Sequence, residues 1–528
     1  MTQSAVVGGG IAGMTAAWEL ARAGHDVVLF ESSDRLGGAL APLVLGEGLA
    51  SGAKAPRPAR GAGVSIDAGA EAFATRSPAV REFVEELGLA DDLADPHPAG
   101  AWLQLSHTVG PLPATGILGV PADPQAEDVR ALIGEAAAAR AAEDLTAPMA
   151  WSSEDRPSVG AVVRDRMGDA LADTLVAPIT AGVYSAGPDQ LDLRTVAPGL
   201  FEAMIAEGSL ARAVAAQKAK QASGGAAGAA SPRPGDDAAQ PKAGSAVQSL
   251  TGGIHTLVAA LEQKLLEAGV RVERNRPILD LNELAGYDDV VLALDAPSAG
   301  RLVAGVLNPA PLPSAFGGMG TAVPGSSASG LARWRVEDAT RGVALVTLLL
   351  NAPQLDARPR GTGMLVSPHV TGIGAKAMTH VSAKWDWARE ALAAELGESH
   401  HAVRLSYGRT DGSDGFGWGS SDAELEAQAR RDVVALFGED LPGGPVAEDQ
   451  ILEAQVVRWR RALPGTSPAQ ARSLQQVRAA VALHNRRAGR SRQPRLHLAG
   501  TWFAGTGLAR VIPHARRVAA EIGRRSST

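Results

Sequence analysis

The chain opens with a short apolar run, AVV at 5–7, followed by GGGIAG at 8–13 and an Ala-rich stretch that predicts a helix to about Ala23, where Gly24 stops it. DVVLF then predicts a second strand ending at Glu31. Residues 79–210 carry mostly helical periodicity, as in AVREFVEELGLADDL and SVGAVVRDRMGDALADTLVAPI. Beyond them GGIHTLVAALEQKLLEAG predicts a helix capped by Gly269, followed by the strands VRVERN and, at 289–294, DVVLAL. Between 343 and 410 strand-like runs (VALVTLLL, MLVSP, AVRLSYG) stand with little helix between them, which predicts a mixed or antiparallel sheet in a separate domain. The strand LHLAG at 496–500, a glycine-rich turn and a helix from about Pro513 to Ile522 close the pattern. Residues 49–63 and 219–246 are rich in Ala, Gly, Ser and Pro without apolar periodicity, and are expected to be flexible surface insertions.

Composition narrows the class of molecule. At 528 residues the chain is long enough for two or three domains, taking roughly 150 residues for each. Its 45% apolar and 20% charged residues are globular values, so a disordered or fibrous chain is excluded. A formal charge of −7 supplies no overall basic field, which disfavours nucleic-acid binding. The chain has no cysteine, so disulfides, thiolate metal sites, iron–sulfur clusters and any cofactor attached through a Cys sulfur are ruled out. Eleven histidines include one adjacent pair, His400 and His401, and no HExxH, so no metal site is expected. The opening MTQSAVVGGG lacks a basic and an apolar signal region, and the longest apolar stretch, about Val343 to Leu350, is far short of a bilayer span. A cytoplasmic protein, at most peripheral to the inner face of the membrane, is expected.

The first thirty residues carry the most chemistry. Strand, glycine turn, helix and strand follow one another in the βαβ context that gives GxGxxG its meaning. Gly8 permits the tight turn, Gly10 lets backbone amides approach a pyrophosphate, and Gly13 lets helix and strand pack closely. Glu31 is placed to accept hydrogen bonds from ribose hydroxyls, and its charge argues against a 2′-phosphate and hence against NADP. Arg35, Gly37 and Gly38 follow just after the acid, a form found in FAD enzymes more than in NAD dehydrogenases.

From here the chain resembles the superfamily of flavin-containing amine oxidases and protoporphyrinogen/coproporphyrinogen oxidases. VSIDAGAEAFATRSPAVREFVEELGL (64–89) is similar to the second flavin motif of the porphyrinogen oxidases, where a D-x-G turn passes the isoalloxazine. SVGAVVRDRMGDALADTLVAPITAGVYSAGPDQLDLR (158–194) resembles their helical segment ending in a G-V-Y-x-G turn, and is the more specific match. LHLAGTWFAGTGLARVIPHARRVAAEI (496–522) resembles their C-terminal flavin motif, and KAMTHVSAKWDW (376–387) and VVRWRRALPG (456–465) fit the same family. Two departures stand out: Gly465, Thr466, Ala469 and Gln470 replace the family's usual Gln-Tyr and Gly-His, and Leu508-Ala509-Arg510 replaces Gly-Ile-Pro.

The resemblance implies an α/β protein with a discontinuous Rossmann-like FAD domain of the p-hydroxybenzoate-hydroxylase type (1–70, 247–305, 485–528). It further implies a mixed-sheet substrate domain (71–89, 306–484) and a helical insert (90–210) forming a cap that could face a membrane. It places non-covalent FAD against Gly8, Gly9, Gly10, Ile11, Ala12, Gly13, Glu31, Ser32, Arg35, Gly37 and Gly38. Further contacts are implied at Gly69, Ala70, Glu71 and Ala72, at Val272 through its backbone, at Trp459, and at Gly500, Gly505, Thr506 and Gly507. The implied reaction is oxidation of coproporphyrinogen III to coproporphyrin III with molecular oxygen, giving hydrogen peroxide, in haem biosynthesis, with transient contact to a ferrochelatase. Protoporphyrinogen IX oxidase, an amine oxidase of the same fold and a non-catalytic flavin scaffold are the alternatives. The flavin carries the redox chemistry and no side chain is obligatory as acid or base. An anionic macrocycle needs Arg or Lys at the rim of an apolar slot: Arg76 is the first candidate, with Lys376, Lys384, Arg404, Arg409 and Arg458 behind it and Tyr184 as a pocket wall. The basic run Arg486, Arg487, Arg490, Arg492 and Arg495 reads as a solvated linker before the last strand.

Overall fold

The computed structural model describes residues 2–48, 63–75, 77–113, 116–225, 246–304, 340–408, 416–464, 468–488 and 493–526. Most of the two low-complexity segments, Arg76, Arg409 and residues 465–467 lie outside the described residues.

Three separated pieces of chain build one five-stranded parallel sheet. Its order is Arg271–Glu273, Asp26–Phe30 (β2), Gln3–Val7 (β1), Asp289–Leu292, Arg495–Leu498. Helix α1 (Ile11–Arg22) joins β1 to β2. Both faces of the sheet are covered, which is why its strands are apolar almost throughout instead of alternating. Val6, Val27 and Leu29 pack with Met14, Trp18 and Leu20 of α1, with Leu257 and Leu261 of helix Thr256–Glu267, and with Ile512 and Ala515 of helix Leu508–Ser526. Ala5, Val7, Val28 and Phe30 point the other way, toward Val477 and Val481 of helix Pro468–Ala488. Arg486 and Arg487 end that helix, and Arg495 pairs with Asp289 at the start of the last strand, so the basic run is less of a linker than its composition implies. The last helix begins at Leu508, ahead of the expected start near Pro513. Leu508, Ile512, Ala515, Ala519 and Ile522 form one buried stripe, and its burial holds a turn that Pro513 alone would disfavour.

The second layer is a seven-stranded mixed sheet in the order Ile451–Pro464, Thr340–Asn351, His400–Tyr407, Ala377–His380, Gly363–Val366, Trp102–Gln104, Val109–Pro111. All pairings are antiparallel except Gly363–Val366 with Trp102–Gln104. The last two strands come from the 90–210 segment, so that segment is helical only beyond its first part. Helix is also less scarce between 343 and 410 than the strand-like runs imply. Ala388, Leu392 and Leu396 recur every fourth residue and bury one face of helix Asp386–Leu396, which ends at Gly397 with φ 106°.

The helical insert, from Glu127–Ile133 to Leu210–Gly225, is organised around one buried ion pair. The Asp144 carboxylate accepts from Arg166 Nε (2.6 Å), Ser209 Oγ (2.6 Å), Leu210 N (3.1 Å) and Ala211 N (2.9 Å). Arg166 also donates to the carbonyls of Asp144, Ala147, Pro148 and Gly208. Three stretches of the insert, 144–148, the helix carrying Arg166 and 208–211, thereby meet at one ion pair. Asp144→Asn should lower stability by about 3–5 kcal/mol, since it strands a buried Arg charge. Urea denaturation monitored beside limited proteolysis checks this, and a loss under about 1 kcal/mol would show that the insert does not rest on the pair.

A second buried polar group lies in the mixed sheet. His380 Nε2 and His401 Nδ1 are 3.3 Å apart, Ser382 Oγ is 3.2 Å from the same nitrogen, and His401 Nε2 meets Asp356 Oδ1 at 3.1 Å. Burial pulls His401 down to about 4 despite Asp356, and burial, helped by the Arg358 and Arg389 charges, pulls His380 well down too. Both rings are neutral in the fold and take up protons on unfolding, so the stability they confer is complete above about pH 6.5 and is lost as pH falls. His401→Gln should flatten that acid limb. Melting temperatures of wild type and variant from about pH 7.5 to 5 test it, and equal slopes would exclude His401 as a cause.

Candidate active site

The first turn of α1 sits where strand order reverses, with β1 flanked by β2 on one side and Asp289–Leu292 on the other, at the carboxyl ends of the strands. A Cβ on Gly13 would collide with the Gly8 carbonyl, and one on Gly8 (φ 106°) with the Ala293 carbonyl. These contacts press α1 onto the sheet and leave its amino end facing outward. That end has no side-chain cap and no acidic residue in its first turn, while a Cβ on Gly10 would meet nothing nearer than Gly38 Cα at 4.0 Å. Uncapped amides above open space at a positive helix end make an anion cradle, which fits a pyrophosphate.

Glu31 closes the cradle's side. One oxygen accepts from Gly9 N (2.7 Å), and the other from Ser33 N (2.8 Å), Ser33 Oγ (2.8 Å) and Ser32 Oγ (3.1 Å). The Glu31 backbone pairs with the carbonyl of Glu273, beside Val272, whose strand partner is Leu29. Arg35 turns inward, donating to the carbonyls of Leu36 (3.3 Å), Gly38 (2.9 Å) and Leu40 (3.4 Å). It therefore shapes the Gly37–Gly38 turn, whose Gly37 N reaches Gly9 O at 2.9 Å. Gly500 (φ 99°), Gly505 (φ 87°) and Gly507 (φ 89°) bend the 500–507 loop beside Thr506, and the Arg510 side chain lies over Gly505.

The turn after strand Val64–Asp67 joins the two sheets. Asp67, 3% exposed, accepts from Ile254 N (3.0 Å), His255 N (2.9 Å) and His255 Nδ1 (2.9 Å), holding the start of helix Thr256–Glu267. Its backbone carbonyl accepts from Arg404 Nη1 at 2.8 Å. Gly69 admits the Trp459 indole, whose Nε1 donates to Ala68 O at 3.3 Å; a Cβ there would strike the ring. Glu71, next to Ala70 and Ala72, binds Lys384 Nζ (2.7 Å) and the Arg404 guanidinium. Burial alone raises the Glu71 carboxyl, but the two cations outweigh it and hold it below the usual carboxylate range.

The described cationic substrate candidates are all engaged inside the protein. Arg404 is committed to Glu71 and Asp67. Lys376, 1% exposed, donates to Ser185 Oγ and to Gly408 O (2.8 Å), and its own N–H meets Ser406 O on the strand that carries Arg404. Arg458 is likewise engaged by Asp422 and the Ser420 carbonyl. Tyr184 is half-buried against the helical insert, with its hydroxyl 3.5 Å from Val196 O. Sequence reasoning passed over Asp67's part in holding His255, for which the D-x-G turn and the paired glycines Gly252 and Gly253 were the available signals.

A parallel sheet with an uncapped glycine turn at its switch point, a tethered acid at the second strand and a second sheet joined to it is the architecture of a dinucleotide-binding oxidoreductase. The chain belongs to the family of flavin containing amine oxidoreductases, whose profile matches residues 11–302. It is 29% identical over 530 residues to the coproporphyrinogen III oxidase of Mycobacterium tuberculosis (strain ATCC 25618 / H37Rv), covering 98% of this chain and 96% of that one. It is 22% identical over 518 residues to the coproporphyrinogen III oxidase of Bacillus subtilis (strain 168), covering 95% and 94%. Among solved structures, one from Exiguobacterium sp. 255-15 assigned as a protoporphyrinogen oxidase shares the fold with a TM-score of 0.73, at 22% identity and 99% coverage of both chains. Cyclohexylamine oxidase from Brevibacterium oxydans IH-35A shares the fold with a TM-score of 0.58, at 13% identity and full coverage of both chains. The protein is thus a flavin-dependent oxidoreductase. Gly13→Val should push α1 off β1 and abolish flavin retention; a variant purified as yellow as wild type would show that the close approach is dispensable.

Proposed function

We propose that the protein is an FAD-dependent porphyrinogen oxidase that converts coproporphyrinogen III to coproporphyrin III, with molecular oxygen as acceptor and hydrogen peroxide as co-product, in haem biosynthesis. The observation that carries this reading is end-to-end similarity to coproporphyrinogen III oxidases, which spans the nucleotide fold, the mixed sheet and the helical insert alike. A shared nucleotide fold alone would match only part of the chain.

In this reading the amides of residues 8–13 hold the FAD pyrophosphate, Glu31 a ribose and the Val272 backbone the adenine, while the 69–72 and 505–507 turns flank the ring. Attachment through a thioether is impossible in a chain without cysteine, in keeping with non-covalent binding. Bound flavin supplies the hydride acceptor. The chain's own residues have to hold an anionic macrocycle against the ring and keep water from it. Arg404, Lys376 and Arg458 already serve partners within the protein; propionate recognition is assigned first to Arg76, which follows the 69–72 turn in the sequence, with Arg409 a weaker candidate. The reaction belongs in the cytoplasm, handing its product to a ferrochelatase. Among the described residues no helix is long and apolar enough to cross a membrane.

Porphyrin fluorescence growth with coproporphyrinogen III and protoporphyrinogen IX, against an autoxidation blank, tests the assignment. Faster turnover of the four-propionate substrate is expected. Preference for protoporphyrinogen would move the assignment to that enzyme, and flavin-bound protein that oxidises neither would remove porphyrinogens altogether. Arg76→Ala should cost about 1.5–3 kcal/mol in kcat/KM for coproporphyrinogen, the worth of one charge-assisted contact, and much less for a porphyrinogen without carboxylates. Equal losses on both would take Arg76 out of the clamp.

A further inference from the structure

Four formal charges are packed around the 67–72 turn, where two carboxylates, Asp67 and Glu71, face two cations, Lys384 and Arg404. Their side chains are 3%, 10%, 18% and 6% exposed. The Asp67 carboxylate is spent on Ile254 and His255, at the start of helix Thr256–Glu267. Glu71 is the carboxylate that contacts both cations, and Lys384 also lies 5.1 Å from the Trp385 ring centre. A cluster so little hydrated is weakly screened, so one unit of charge added or removed there is felt by neighbouring groups far more than at the surface.

We propose that Glu71, Lys384 and Arg404 form a charge-balancing triad that sets how strongly the bound flavin attracts electrons, with Glu71 holding the balance. The proposal rests on the reading that the 69–72 turn passes the flavin ring. Two-electron reduction of a flavin near neutral pH adds negative charge to the ring, so nearby positive charge favours the reduced state and nearby negative charge opposes it. Counted with Asp67 the cluster is formally neutral, so neutralising Glu71 leaves it one charge positive and neutralising Lys384 leaves it one charge negative. The two changes break the same ion pair but act on the flavin with opposite sign. A clamp whose role is only structural has no reason to produce opposite signs. Glu71 and Lys384 are positioning residues in this scheme, not catalytic ones.

The test uses the full-length flavin-loaded protein and two readouts independent of turnover. One is the flavin reduction potential, titrated against a reference dye. The other is sulfite affinity: sulfite bonds through its sulfur lone pair to flavin N5, and the displaced ring electron pair places negative charge on the pyrimidine side. Glu71→Gln should raise the potential and tighten sulfite binding about tenfold; Lys384→Met should lower and weaken them by a similar factor, tenfold in a two-electron equilibrium being about 30 mV. Glu71→Gln combined with Lys384→Met should return both readouts near wild type, and Lys384→Arg should leave them there. Should Glu71→Gln not fold, the contrast between Lys384→Met and Lys384→Arg decides the matter. Shifts of one sign in both single variants, or no shift beyond twofold, would overturn the proposal while leaving the flavin reading intact. A wild-type protein that holds no flavin would overturn the reading and the proposal together.

Discussion

The contact between Gly8 and Gly13 is the constraint from which the active-site geometry follows. Because no side chain intervenes, α1 leaves β1 within one turn and lies directly on the sheet, so its uncapped amides open at the carboxyl ends of the parallel strands. Glu31 can reach Gly9 only because β2 runs beside β1 in this register. Strands from residues 271, 289 and 495 onward then extend the sheet on both sides, bringing Val272 next to the acid on one side and the 500–507 loop to the carboxyl end of the last strand on the other. A methyl group at Gly13 would disturb all of these together, though none of them touches that residue except Gly8 and Ala293.

The 67–72 turn plays the corresponding part between the two sheets. Its cross-links are polar and nearly buried, and buried ion pairs add little net stability because desolvation offsets attraction. What they supply is geometry, since Glu71 and Asp67 have few alternative partners once enclosed, and the mixed sheet is held in one position against the parallel sheet. The insert uses the same principle around Asp144 and Arg166.

Local physics made some features legible in advance. The glycine fingerprint, the acid ending β2, the strands of the parallel sheet and the helix ended by Gly269 depend on neighbours within about thirty residues, and each appeared as composition or period. Helix Asp386–Leu396 was hidden by the strand-like runs around it, although its four-residue apolar repeat was present. The ranking of cations was not readable in this way. Arg404 looks like any other basic residue on a strand, and its partners Asp67 and Glu71 lie more than three hundred residues away in the chain. Lys376 is similarly occupied by Ser185, across the junction between insert and sheet.

The sequence by itself determined the class of cofactor fold, the acid that shapes it, the absence of any thiol chemistry and the family to which the whole chain is similar. The first three follow from residue identity and short spacing, and the last from resemblance of whole segments to the family's motifs. Only the tertiary structure decided which of the described cations are consumed inside the protein. A buried cation is fixed by whichever carboxylate or carbonyl the fold encloses with it, and that partner is chosen by the packing of distant segments.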